Sequence, residues 1–165
     1  MTNLLIKNIG LMLSGDVKQS VIDADSLLIE GGQIAEIGPS TKVPDNVTVI
    51  DASGSALCPG LIDSHCHVVL GDYTPRQLMQ NFLDSILHGG VTTAISAGEV
   101  HLPGRPKDAA GAKALAILAA KSWATVRPGG MKVLGGSVIL EKGLIEADFD
   151  EMAAEGVRVV GEIGL

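Results

Sequence analysis

Two of the chain's four histidines lie two residues apart, in Leu61-Ile62-Asp63-Ser64-His65-Cys66-His67. A β-strand alternates its side chains with period two, so a strand through this segment puts Asp63, His65 and His67 on one face. Ile62, Ser64, Cys66 and Val68 take the other. Paired imidazoles on a rigid strand have the reach to grip one divalent ion, with zinc the default for nitrogen ligation. The spacing alone leaves a second reading open, in which two histidines fall together on a solvated strand end. Cys66 faces away from both histidines and reads as a packing residue. His88, beside Gly89, reads as a cation at a helix C-terminus.

The elements that must hold these residues change character near residue 57. Before it, short β-type runs cover residues 4–9, 27–30, 33–37 and 47–51. Gly31-Gly32 between two of them signals a two-residue hairpin, because paired glycines reach the positive φ such a turn needs. After Pro59-Gly60 the pattern is strand, helix, strand, helix. Residues 61–69 form the first strand. Thr74 caps a helix, with Pro75 at its first position and Gln77 completing a capping box. That helix lines up Leu78, Phe82 and Ile86, and beside them Met79, Leu83 and Leu87, as an apolar stripe ended by Gly89-Gly90. A strand over 91–97, an Ala-rich helix over 108–126, a strand over 131–134, a short helix over 149–155 and a fourth strand over 157–163 follow. Such alternation implies parallel pairing with right-handed crossovers, in a doubly wound sheet or part of a (βα) barrel.

Composition narrows the partners. With 165 residues the chain holds about one domain's worth of core. Its 12 basic and 19 acidic residues give a net charge of −7, which argues against nucleic acid and anionic membrane. Aromatics make up 2%, too few for a base-stacking platform or an aromatic sugar groove. The longest apolar helical stretch, residues 114–120 between Lys113 and Lys121, falls far short of a membrane span. The N-terminus reads as a strand and not as a signal peptide, and Cys58 and Cys66 have no framework spacing, so the expected location is the cytoplasm.

The whole segment Cys58-Pro59-Gly60-Leu61-Ile62-Asp63-Ser64-His65-Cys66-His67 resembles the amidohydrolase superfamily signature P-G-[LF]-[IV]-D-x-H-x-H. That resemblance implies an α/β fold, the first half of a (βα)8 TIM-like metallohydrolase barrel preceded by part of a small β-sandwich domain. Residues 1–57 correspond to the N-terminal portion of the sandwich and residues 58–165 to strands one to four of the barrel. It implies one or two divalent ions, zinc or a zinc–iron pair, with His65 and His67 on the first. A carboxylate at the end of strand four bridges the two in this family, and Glu162 is the acid on that strand. Many relatives use a carboxylated lysine instead, but the strand holds no lysine. The family's second-metal histidines and catalytic aspartate lie on later strands, beyond Leu165.

Within the superfamily the loops over residues 96–108 and 135–143 are similar to those of a cyclic-amide hydrolase of nicotinate breakdown. That resemblance implies attack of hydroxide, formed on a bound ion, on the lactam carbon of a tetrahydro-6-oxonicotinate, giving 2-formylglutarate and ammonia. His101, Arg105 and Lys107 are the residues expected to meet a small anionic cyclic amide, because a ring carboxylate wants cationic or donor-rich partners. A homo-oligomer is expected. Two alternatives stand beside this reading. One is another amidohydrolase of dihydroorotase, imidazolonepropionase or deaminase type. The other is a non-catalytic doubly wound binding domain, against which the missing G-x-G-x-x-G speaks.

Overall fold

The computed structural model describes residues 3–39, 43, 45–68 and 79–164. The chain divides into two units, Met1–Pro59 and Gly60–Leu165. The first unit is all β: β1 (Asn3–Lys7), β2 (Leu11–Leu13), β3 (Val21–Ile22), β4 (Ser26–Glu30), β5 (Gln33–Gly38), β6 (Val47–Asp51) and β7 (Ala56–Leu57). One sheet has the order β5-β4-β1-β6 and the other β3-β2-β7. Gly31 and Gly32 take φ of 59° and 84° and turn β4 antiparallel onto β5, as their pairing predicts. Ile9, Met12 and Leu27 form the buried centre, with Ile22 and Leu57 packed against it. Strands β2, β3 and β7 are too short to show an alternating pattern, which is why the sequence reading passes over them.

The second unit carries β8 (Leu61–Cys66), α1 (Met79–His88), β9 (Val91–Ser96), α2 (Ala109–Thr125), β10 (Lys132–Leu134), β11 (Val138–Leu140), α3 (Glu146–Ala154) and β12 (Val160–Ile163). Strands β8, β9 and β10 form one parallel sheet, and β11 pairs in parallel with β12 in another. The expected fourth strand is therefore present but shorter, and its hydrogen-bonded neighbour is β11, a strand the sequence reading leaves as loop. Glycine explains the break between β10 and β11. A side chain at Gly135 would overlap the Trp123 indole, and one at Gly136 (φ 81°) would overlap Ala116 and Ala120. Bare backbone lets α2 lie directly on the chain there.

Helix α2 matches its expected limits because both ends are capped. Asp108 Oδ1 accepts from Gly111 N at 2.9 Å, and the helix stops at Val126. Its small face, Ala112, Ala116 and Ala119, is buried with Trp123. Cys66, Val68, Leu83, Ala94, Met131 and Val133 complete the main core. Helix α3 begins at Glu146, three residues before the expected Phe149. Asp148 reaches back from the first turn to accept from Ile145 N at 3.0 Å, and a carboxylate there suits the helix N-terminus. Asp148 also takes Lys113 Nζ at 2.8 Å, tying α3 to α2. Among the described residues no helix is long and apolar enough to cross a membrane.

The proposed cap residues Thr74, Pro75 and Gln77 lie outside the described residues, as do Leu78 and the Met79 side chain. The rest of the α1 stripe is corrected: Leu83 is 1% exposed and Ile86 and Leu87 pack on the core, but Phe82 is 41% exposed. The buried line is thus Leu83, Ile86 and Leu87, the i, i+3, i+4 pattern of a helix resting on a sheet. Leu83→Ala should cost about 2–5 kcal/mol and Phe82→Ala less than about 1 kcal/mol in urea unfolding.

Lys113 and the N–H of Ile145 hold the Asp148 carboxyl below its ordinary value, and Asp148 and Glu151 push the Lys113 ammonium up to about 12. A depressed carboxyl adds stability above its unfolded pKa and loses it as pH falls through the folded value. Stability measured against pH should therefore fall below about pH 4 in the wild type, and less steeply in Asp148→Asn.

Candidate metal centre

Strand alternation holds only while the ladder is regular, and both strands that carry the candidate ligands are irregular at that point. In β8, Asp63 lies opposite Ala94 but Cys66 lies opposite Ser96, so β8 spends one extra residue there. In β12, Val160 lies opposite Val138 and Glu162 opposite Ile139, which leaves Gly161 extra. Such bulges re-aim side chains. A side chain at Gly161 would overlap the Ala97 carbonyl, so only glycine lets β12 come this close to the end of β9. The same logic fixes Gly60 of the signature segment, where a Cβ would collide with Thr92.

The result is convergence at the C-terminal ends of β8 and β12. His65 Nε2 lies 3.2 Å and His67 Nε2 3.8 Å from the same atom, Glu162 Oε1. The two imidazoles stand nearly perpendicular, with ring centroids 5.4 Å apart. One donor atom from each of His65, His67 and Glu162 falls within 4.8 Å of the others. Glu162 does not pair with Arg158, whose Nη1 donates to Ala153 O at 2.6 Å.

Asp63 departs from the shared-face expectation. Its Oδ1 accepts from His65 N at 3.1 Å, so its carboxylate braces the irregular turn of the strand and stands outside the cluster. Cys66 points inward as expected, 5% exposed within the core, and burial together with the Asp63 charge raises its thiol to about 11. The cluster thus presents two nitrogens and an oxygen, a donor set that suits zinc or iron. The Nε2 atoms of both rings face the same Glu162 oxygen, an arrangement that fits a cation held among the three side chains.

The three residues expected to meet substrate separate. His101 lies on the loop after β9, exposed, with its ring centroid 4.8 Å from that of His67. Lys107 is exposed near the N-terminus of α2. Arg105 instead turns inward and pairs with Glu141, both side chains largely buried at 11% and 7%. Its Nη1 is engaged by that carboxylate, 36 residues along the chain. Sequence reasoning misses Glu141 because its expected loop hides the short strand β11 that places it. It also misses the buried polar layer of Ser96, Glu99 and Ser137 beneath this loop, where Ser137 Oγ donates to Ser96 O. Single polar residues within loops give no periodic signal of burial.

No protein-family model matches the chain. Enamidase of Eubacterium barkeri is 58% identical over the whole chain, which spans 43% of that protein. The imidazolonepropionase of Arthrobacter sp. (strain FB24) is 35% identical over 56% of this chain and 24% of its own length. A crystal structure of enamidase, described as a new member of the amidohydrolase superfamily, superposes with a TM-score of 0.90 at 56% identity. That match covers 98% of this chain and 43% of the other. The chain is thus similar to part of a member of the amidohydrolase superfamily. Within it, the particular protein it resembles across its full length is enamidase, of which it matches the N-terminal part, under half the relative's length.

The contrasting environments of the two thiols can be read directly. Cys58 is exposed and Cys66 buried, so at about pH 8 a thiol reagent should label Cys58 rapidly and Cys66 at least about tenfold more slowly until the chain is unfolded. Peptide mapping of the labelled sites checks this.

Proposed function

We propose that the chain is the metal-binding first part of a hydrolase that opens a cyclic amide, as its likeness to enamidase suggests. The observation that carries the proposal is the meeting of His65, His67 and Glu162 at the C-terminal strand ends in a chain 58% identical to enamidase. C-terminal strand ends are where α/β enzymes place their sites. On this reading Gly60–Leu165 supplies the first four strands of a (βα)8 barrel, and Met1–Pro59 contributes to a β-sandwich.

His65 and His67 would hold one divalent ion, zinc or iron, and Glu162 would bridge it to a second. The carboxylate does this without a carbamate, since β12 has no lysine. A divalent ion supplies Lewis acidity toward a carbonyl and lowers the pKa of water toward neutrality. The residues of this chain set the stage for that chemistry. Asp63 fixes the backbone at His65, Gly161 lets Glu162 reach both imidazoles, and His101 stands beside His67 where it can orient a substrate carbonyl or ring carboxylate. Lys107 offers a positive charge to the same anionic substrate.

In the full-length protein, His65→Ala and His67→Ala should each lose most of the bound metal by elemental analysis. Undiminished metal with full lactam-opening activity in both would overturn the assignment. Glu162→Gln keeps the shape but removes the charge that holds two dications together, so it should lose one ion per chain first and lower kcat by about a hundredfold or more. Retention of both ions and of wild-type kcat would move the bridge to another strand.

A further inference from the structure

Arg105 is expected at the substrate, yet its side chain is largely covered, and its position in the loop gives it another task. The segment between β9 and α2 is an arch of two linked turns: Leu102 N donates to Glu99 O at 3.1 Å, and Arg105 N donates to Leu102 O at 3.1 Å. His101 sits on its exposed crest. The first foot is buried and the second partly buried. At the first, Gly98 (φ 103°) is pressed against Ser137 and Ile139, and Glu99 is 2% exposed. At the second, Arg105 Nη1 binds both Glu141 Oε1 and, at 3.2 Å, Pro106 O. The two feet line one small cavity with Ser137 and Ile139.

Glu141 also touches the other strand of the site. It follows β11, and a side chain at Gly164 would overlap its carboxylate. Gly164 N donates to Leu140 O at 2.7 Å, and Gly164 stands two residues after Glu162. One buried ion pair therefore joins the foot of the His101 arch to the end of the strand that carries Glu162.

The geometry points to Arg105 as a positioning residue that, through Glu141, holds His101 against His67 and in register with Glu162. A buried pair is suited to this. Its two charges are satisfied only in one arrangement, so sliding the arch would strand a carboxylate in the interior. Arg105 acts on substrate only through His101 and does not bind the substrate's anion itself.

The test uses the full-length protein and three changes: Arg105→Met with Glu141→Leu together, His101→Ala alone, and all three combined. Replacing both charges with apolar groups of similar size avoids an unpaired buried charge, so the fold and the metal content should stay at wild-type levels. Hydrogen exchange at the Leu102 and Arg105 amides should quicken by about tenfold or more in the paired variant, with β9 unchanged. The kinetic arm rests on the cyclic-amide reading. There the pair and His101→Ala should each raise KM by about tenfold with kcat within about threefold, and the triple variant should be no worse than His101→Ala.

Additive losses would mean that Arg105 meets the substrate independently of His101 and would overturn the proposal. Unchanged exchange in the arch would also overturn it. If wild type opens no cyclic amide, the functional reading fails alone, because exchange still reports on the arch. Should the paired variant not fold, Arg105→Lys keeps the charge but loses the fork, and the same exchange and KM shifts, smaller in size, are expected.

Discussion

Two chains of β-structure can bring ligands to one point only if their side chains are aimed there, and regular alternation fixes that aim two residues at a time. In this protein the aim is set by one extra residue in each of β8 and β12. Everything at the centre depends on those two irregularities. The extra residue in β8 is steadied by Asp63 accepting from the His65 amide, and the one in β12 is possible because Gly161 has no side chain to strike Ala97. A carboxylate that looks like a third ligand and a glycine that looks like a flexible joint are both parts of the aiming device.

The packing beneath the centre follows from the near absence of aromatic residues. With Trp123 as the one indole of the chain, the second unit fills its interior with alanine, valine and methionine and brings backbones close together. Gly135 and Gly136 take the direct weight of α2, and the cost is a break in the strand between β10 and β11. The break has a use. It lets β11 leave the first sheet, pair with β12 and deliver Glu141 to the foot of the loop that bears His101.

What could be read from the sequence divides along physical lines. The hairpin at Gly31-Gly32, the limits of α2 and the inward turn of Cys66 come from local chemistry, namely positive φ, a capping carboxylate and strand parity. The meeting of His65, His67 and Glu162 is consistent with the family signature, but the signature says nothing of the irregularities that bring it about. Phe82 and Leu83 show the limit of periodicity: either line of the stripe could have faced the core, and only the neighbours in space decide. Arg105 shows a deeper limit. Its charge is legible, but its partner lies 36 residues away, just after a strand of three residues that leaves no pattern.

The inward turn of Cys66 also decides which donor atoms the strand offers. A thiolate between two imidazoles would be the softest donor available and would draw copper(I) or lock zinc into a closed, sulfur-bound site. Burying that sulfur in the hydrocarbon of Val68, Leu83 and Ala94 removes it from the competition. The donors that remain are nitrogen and oxygen, which tolerate exchange of water and leave an ion electrophilic. By hiding one atom, the strand leaves only nitrogen and oxygen donors at its end.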